Sequence, residues 1–126
     1  MHVLVVEPDT VLGATYAHAL QRDGNSVALA PTAQLAVQAA DAKQPDAIVL
    51  NIDMPRHNGL EFLYEFKSYP EWQHIPVILL VARINHDMGE SSVLREQLGV
   101  RATLVETQTD LATLCQTVRD VAQVAA

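Results

Sequence analysis

The chain has 126 residues, of which 49% are hydrophobic and 18% charged. This composition is typical of a folded domain and excludes a disordered chain. The formal net charge is −7 with scattered Lys and Arg residues, which argues against direct nucleic-acid binding because phosphate neutralisation needs a concentrated basic patch. No apolar run approaches the length of a membrane span, and the start lacks the basic region of a signal peptide. We therefore expect a cytoplasmic protein that binds neither membrane nor nucleic acid.

Short apolar runs alternate with longer segments of helical period, which predicts βα units around a parallel sheet. One domain over residues 1–126 fits this length, either by itself or as the N-terminal part of a longer protein. We predict strands at residues 3–6, 26–29, 47–50, 77–80 and 102–105. The expected apolar positions of the first three helices are Val11, Leu12, Tyr16 and Leu20; Leu35, Val37 and Ala39; and Leu60, Leu63, Tyr64 and Phe66, with Phe66 or Lys67 at the end of the third helix. A weaker fourth helix is indicated by Val93, Leu94 and Leu98, and a fifth by Leu111, Leu114, Val118 and Val121.

Local residues indicate where the helices begin and end. Asp9 precedes the first helix, where an N-cap is favoured over a metal ligand because Asp is among the strongest capping residues. Gly24 and Asn25 end that helix, and Asn58 with Glu61 has the spacing of a capping box. The third helix is therefore expected to begin at Asn58 or Gly59. Trp72 is expected to cover the core, and the single cysteine, Cys115, to fill it.

The stretch around the third strand, Pro45-Asp-Ala-Ile-Val-Leu-Asn-Ile-Asp-Met-Pro55, resembles that region of bacterial response-regulator receiver domains, the CheY-like family. Val5-Val6-Glu7, Asn58-Gly59, Ile75-Pro76-Val77-Ile78 and Gly99 also fall at family-like spacing, so the resemblance covers nearly the whole chain. It implies a flavodoxin-like α/β fold, a three-layer α/β/α sandwich whose five-stranded parallel sheet has the order 2-1-3-4-5.

The family builds a phosphorylation site at the carboxyl ends of its strands. Its pattern has two acids after the first strand, an acceptor Asp after the third, Thr or Ser after the fourth and Lys after the fifth; the acids bind Mg²⁺. Here Glu7 keeps the first acid, but Pro8 replaces the second and Asn51 replaces the acceptor. Val81 stands in place of the hydroxyl residue and Glu106 in place of the lysine. An amide is a poor nucleophile, and Pro8 offers no side-chain ligand.

These substitutions indicate a degenerate pocket with no phosphoacceptor, no catalytic residue, no metal site, and Mg²⁺ binding that is weak or absent. A neutral Asn51 can hydrogen-bond a carboxylate, so we expect the pocket to serve as a structural joint. Glu7, Asp9, Asp53 and Glu106 could together bind a cation, but a solvated acidic rim is the preferred interpretation. The five histidines lie in different elements without the spacing of metal ligands.

Two functions fit these residues. The first is a pseudo-receiver, a signalling module of a two-component system that is not an enzyme and acts without phosphorylation. It would bind a protein partner or a second copy of itself through the region from Met88 to Val124, because the family commonly uses that face. Thr103 stands where the family often has an aromatic switch residue, so no such switch is expected. The alternative is an atypical phosphoacceptor that uses another acid such as Asp53.

Overall fold

Five parallel β-strands form one sheet at the centre of the molecule. The computed structural model describes residues 1–54, 59–82 and 92–125, and for residues 92, 93 and 122–125 it describes the backbone alone. The strand order is β2-β1-β3-β4-β5, and every neighbouring pair is parallel. This order confirms the flavodoxin-like arrangement. The strands are β1 (His2–Val6), β2 (Ser26–Ala30), β3 (Ala47–Asn51), β4 (Val77–Val81) and β5 (Val100–Val105).

Helices follow the strands along the chain and cover both faces of the sheet, as crossover connections between parallel strands require. Short 3₁₀ turns at Pro70–Trp72 and Glu106–Gln108 precede β4 and follow β5. The described helices are α1 (Thr10–Arg22), α2 (Ala33–Ala42), α3 (Gly59–Lys67), α4 (Ser92–Glu96) and α5 (Leu111–Ala125).

The core has two layers, one on each face of the sheet. Alternate residues of a strand point to opposite faces, so Val3 and Val5 pack with α1 and α5, while Leu4 and Val6 pack with α2 and α3. Strands β1, β3 and β4 are buried along their whole length. These three strands are the central strands of the sheet.

Four of the apolar positions expected to face the core are exposed instead, and that part of the prediction was wrong. Val11 is 73% exposed, and Leu12, Leu35 and Tyr64 also reach solvent. The buried face of α1 includes the small residues Gly13, Ala17 and Ala19, and that of α2 consists of Ala33, Ala36 and Ala40. Small residues let a helix pack closely on a sheet, whereas the expectation followed the larger apolar side chains.

The helix termini agree with the sequence signals. Asp9 Oδ1 accepts hydrogen bonds from the backbone N–H groups of Val11 and Leu12 at 2.9 and 3.0 Å, which confirms the N-cap. Gly24 follows α1 with φ at 96°, a left-handed conformation that glycine adopts without strain. Helix α3 begins at Gly59, and Asn58 lies outside the described residues. Trp72 is buried and stacks on Phe66 with ring centroids 4.6 Å apart.

Candidate functional site at the carboxyl ends of the strands

The residues of the predicted pocket lie at one end of the sheet, because the strands that carry them are parallel and their carboxyl ends point the same way. Glu7 follows β1, Asn51 ends β3, Val81 ends β4 and Glu106 follows β5. Neighbouring strands β1 and β3 are in register from Val3 to Val6. The chain therefore leaves both central strands at the same height, which brings Glu7 and Asn51 side by side.

Glu7 and Asn51 form a buried pair. Glu7 is 1% exposed and Asn51 is 8% exposed. Asn51 Nδ2 donates to Glu7 Oε1 at 3.0 Å and to Glu7 Oε2 at 2.9 Å. On its other side, Asn51 Oδ1 accepts from the backbone N–H of Asp53 at 2.9 Å. Both ends of the amide are thus engaged within the protein.

Burial raises the pKa of the Glu7 carboxyl above its usual range. The hydrogen bond from Asn51 and a long one from the backbone N–H of Asp9, at 3.4 Å, oppose this rise. The negative charges of Glu106 and Asp9 add to it. The amide therefore favours the ionised form of a carboxylate that its surroundings disfavour.

Glu106 is hydrogen-bonded by Tyr16, a residue that the sequence pattern predicted only as part of the core. The hydroxyl of Tyr16 on α1 donates to Glu106 Oε1 at 3.0 Å, and Tyr16 is almost fully buried. Burial, followed by this contact with Glu106, raises the pKa of the Tyr16 phenol. The side chain at the position of the family's lysine is thereby tied to α1. No sequence signal pointed to this contact, since its partners are 90 residues apart.

The remaining residues of the predicted pocket contribute little polar contact. Val81 is buried in the core layer under α2 and α3, and Pro8 is half-buried. Asp53 is exposed, and it contacts Asn51 through its backbone N–H. Asp9 caps α1 with its carboxylate. Among the residues described here, no three His, Cys, Asp or Glu side chains lie close enough together to hold a metal ion.

A second buried charge, Lys67 on α3, was missed because its position in the sequence marked a helix end. Lys67 is 6% exposed, and its Nζ donates to the carbonyl oxygens of Trp72 at 3.1 Å, Gln73 at 3.2 Å and Ile75. Burial lowers the pKa of Lys67 to about 8, with a further contribution from Arg101. The ammonium thus satisfies the carbonyls of the turn that leads into β4.

The expected interaction region, residues 88–124, is only partly visible. Residues 83–91 lie outside the described residues, as do the side chains of residues 92, 93 and 122–125. Thr103, at the position of the family's switch residue, lies half-buried in β5. In the described part of the chain, no helix has the length and apolar character needed to cross a membrane.

The fold and the strand-end site together define a receiver-type α/β signalling domain. Residues 3–119 match the response regulator receiver domain family, and the chain belongs to that family. It is therefore a receiver domain of the two-component type.

Curated relatives are longer proteins. The KDP operon transcriptional regulatory protein KdpE of Escherichia coli is 30% identical over 106 residues, which is 79% of this chain and 46% of that protein. The probable transcriptional regulatory protein TcrX of Mycobacterium tuberculosis is 35% identical over 81 residues, covering 64% of this chain and 34% of that protein. The chain thus spans less than half the length of these relatives.

Solved structures share the fold. The chemotaxis protein CheY4 of Vibrio cholerae superposes with a TM-score of 0.85 at 22% identity, covering 95% of this chain and 97% of that one. The receiver domain of a signal transduction histidine kinase from Syntrophus aciditrophicus gives a TM-score of 0.80 at 21% identity, covering 98% and 90% of the two chains. At these identities the likeness concerns the fold alone.

Proposed function

We propose that this receiver domain signals without phosphorylation of the Asn51 position, through contact with another protein or with itself. The observation that carries the proposal is the bond between Asn51 Nδ2 and both oxygens of the Glu7 carboxylate. The residue in the acceptor position is an amide, and its nitrogen already binds the acid that would otherwise face a metal. The domain on this proposal has no catalytic residue.

The donor set does not fit Mg²⁺. This ion demands nearly ideal octahedral oxygen coordination, but Pro8 has no side-chain ligand and both Glu7 oxygens face the Asn51 amide. Asn51 Oδ1 accepts from the Asp53 backbone, Glu106 Oε1 accepts from the Tyr16 hydroxyl, and Asp9 Oδ1 caps α1. We therefore propose that Mg²⁺ binding is weak or absent.

The surroundings also disfavour a phosphoryl group. Val81 provides no donor, and Glu106 places a carboxylate near a position where the incoming group carries negative charge. Like charges in a partly buried site repel strongly because water screens them poorly. The alternative acceptor, Asp53, is exposed, and its described contact with Asn51 is made by its backbone N–H and not by its carboxylate.

The test is intact-mass spectrometry after incubation with Mg²⁺ and acetyl phosphate. We expect no added phosphoryl mass on the wild-type chain or on Asn51→Asp alone. A chain with the family's residues at all four positions (Pro8→Asp, Asn51→Asp, Val81→Thr and Glu106→Lys) is the matched positive control and should become labelled. Stoichiometric labelling of the wild type would refute the proposal, and its loss in Asp53→Asn would assign the acceptor to Asp53.

A further inference from the structure

Strand β2 is an edge strand whose outer side has no partner strand among the described residues. Ser26 N–H donates to Met1 C=O at 3.0 Å, and Ala30 C=O accepts from Glu7 N–H at 3.1 Å. The N–H and C=O of one residue in a strand point to the same side, and those of the next residue point to the other. Val27 and Leu29 therefore direct their N–H and C=O groups away from the sheet.

The side chains of this edge are apolar and partly exposed. Leu29 is 41% exposed and packs over Gly13 of α1, where a Cβ atom would come within 2.8 Å of Leu29 Cδ1. Val27 packs on the same face of the sheet, and Leu12, the residue before Gly13 on α1, is exposed. An unprotected edge of this kind is a template for pairing with another strand.

The same region is free of charge. Residues 10–21 and 25–40, which include most of α1, all of β2 and most of α2, contain no Asp, Glu, Lys or Arg. The rest of the chain carries the net charge of −7. Two copies of an acidic protein repel each other, and this repulsion is smallest when they approach through a neutral face.

We propose that β2 pairs with β2 of a second copy of this chain, so that the two sheets join across a twofold axis. In an antiparallel arrangement centred on Ala28, Val27 of one copy lies opposite Leu29 of the other. Each outward N–H then meets an outward C=O, and Pro31, which has no N–H, ends the ladder. Because Val27 and Leu29 share one face, their side chains from both copies form one apolar row.

A second copy is favoured over a foreign peptide because the edge is complementary to itself. A twofold contact brings the same patch from both copies together, and here that patch is neutral on both sides with matching outward donors and acceptors. The inference does not depend on the proposed function, since it concerns a face of the molecule away from the Asn51 pair.

Amide hydrogen exchange measured by NMR on the wild-type chain at low and high protein concentration tests the pairing residue by residue. The backbone N–H groups of Ala28 and Ala30 point towards β1 and should exchange slowly at both concentrations. Val27 and Leu29 should exchange rapidly in the monomer and at least about tenfold more slowly when the dimer predominates. Equal exchange of Val27 and Leu29 at both concentrations, in a chain that does dimerise, would overturn the proposal.

Sedimentation equilibrium with two charge-matched variants provides the second test. Leu29→Lys keeps an aliphatic stem over Gly13 but places like charges near the twofold axis, and it should weaken dimerisation by about tenfold or more. Tyr64→Lys, at an exposed site on α3, should dimerise like the wild type. A wild type that stays monomeric at all concentrations, or a dimer unaffected by Leu29→Lys, would refute the proposal; unchanged exchange at Ala28 and Ala30 verifies that the variant is folded.

Discussion

Replacing Asn51 with Asp tests the structural joint at the strand ends. In the wild type, Asn51 Nδ2 lies 2.9 to 3.0 Å from the two oxygens of the Glu7 carboxylate. Asn51→Asp exchanges this donor for an oxygen at nearly the same distance. Two unit charges about 3 Å apart repel by about 5 kcal/mol at an effective dielectric constant of about 20, which sets an upper limit.

The pair escapes part of this repulsion by binding a proton. A hydrogen bond to a charged group contributes about 1.5–3 kcal/mol, and its loss with the remaining repulsion gives an expected decrease of about 3 kcal/mol in the free energy of unfolding at pH 7. This corresponds to a fall of about 10 °C in the melting temperature of a domain of this size. Below neutral pH the folded Asn51→Asp variant holds a proton shared between the two carboxylates, which the unfolded variant lacks. The difference in unfolding free energy between variant and wild type should therefore shrink towards about pH 5.

Urea denaturation of the wild type and the variant between pH 5 and pH 8 measures this effect. The double variant Glu7→Gln with Asn51→Asp reverses the roles of amide and carboxylate, and it should recover most of the lost stability. If Asn51→Asp is as stable as the wild type at pH 7, or if the reversed pair recovers nothing, the contact between these side chains does not have the energetic role assigned to it.

Three further changes probe single contacts. Glu7→Gln removes a buried carboxyl group whose pKa is raised. Above the usual carboxyl pKa, the folded wild type therefore binds more protons than the unfolded chain. Its stability relative to Glu7→Gln should fall as pH rises towards neutrality, which urea titrations at several pH values would measure. Lys67→Met leaves the carbonyls of Trp72, Gln73 and Ile75 without the ammonium and should cost about 2 kcal/mol at pH 7. Because the pKa of Lys67 is lowered to about 8, the wild type should gain stability relative to this variant as pH rises above about 8, and a constant difference across that range would contradict the buried ammonium. Asp9→Ala should cost about 1 kcal/mol through loss of the α1 cap, and thermal melting with no measurable change would count against it.

The strands could be predicted because their signal is local. Apolar runs bounded by turn residues located all five strands, and β5 begins only two residues before its predicted start. The buried faces of α1 and α2 were harder to predict, since alanine and glycine carry little hydrophobic signal and yet permit the closest packing on a sheet. Val11 and Leu35 are apolar but remain on the outside.

Only those contacts of the site that follow directly from the order of the strands could be predicted from the sequence. Glu7 and Asn51 lie together because their strands are adjacent and in register, and the sheet order supplied that adjacency. The hydrogen bond between Tyr16 and Glu106 depends on how α1 is oriented about its own axis and on the path of the turn after β5. Neither has a sequence signature. Lys67 was overlooked for a similar reason, because its carbonyl partners belong to a turn whose path the sequence does not specify.

The contacts of Asn51 and Glu106 explain how several substitutions can coexist in one pocket. A buried carboxylate at Glu7 needs a donor, and with no metal ligand at Pro8 the amide of Asn51 supplies one. A carboxylate at Glu106 would repel Glu7, but the hydroxyl of Tyr16 binds it on the α1 side. Each acid therefore has its own donor, and Asn51→Asp alone removes the donor of the Glu7 carboxylate. This interdependence is why the positive control for labelling changes all four positions together.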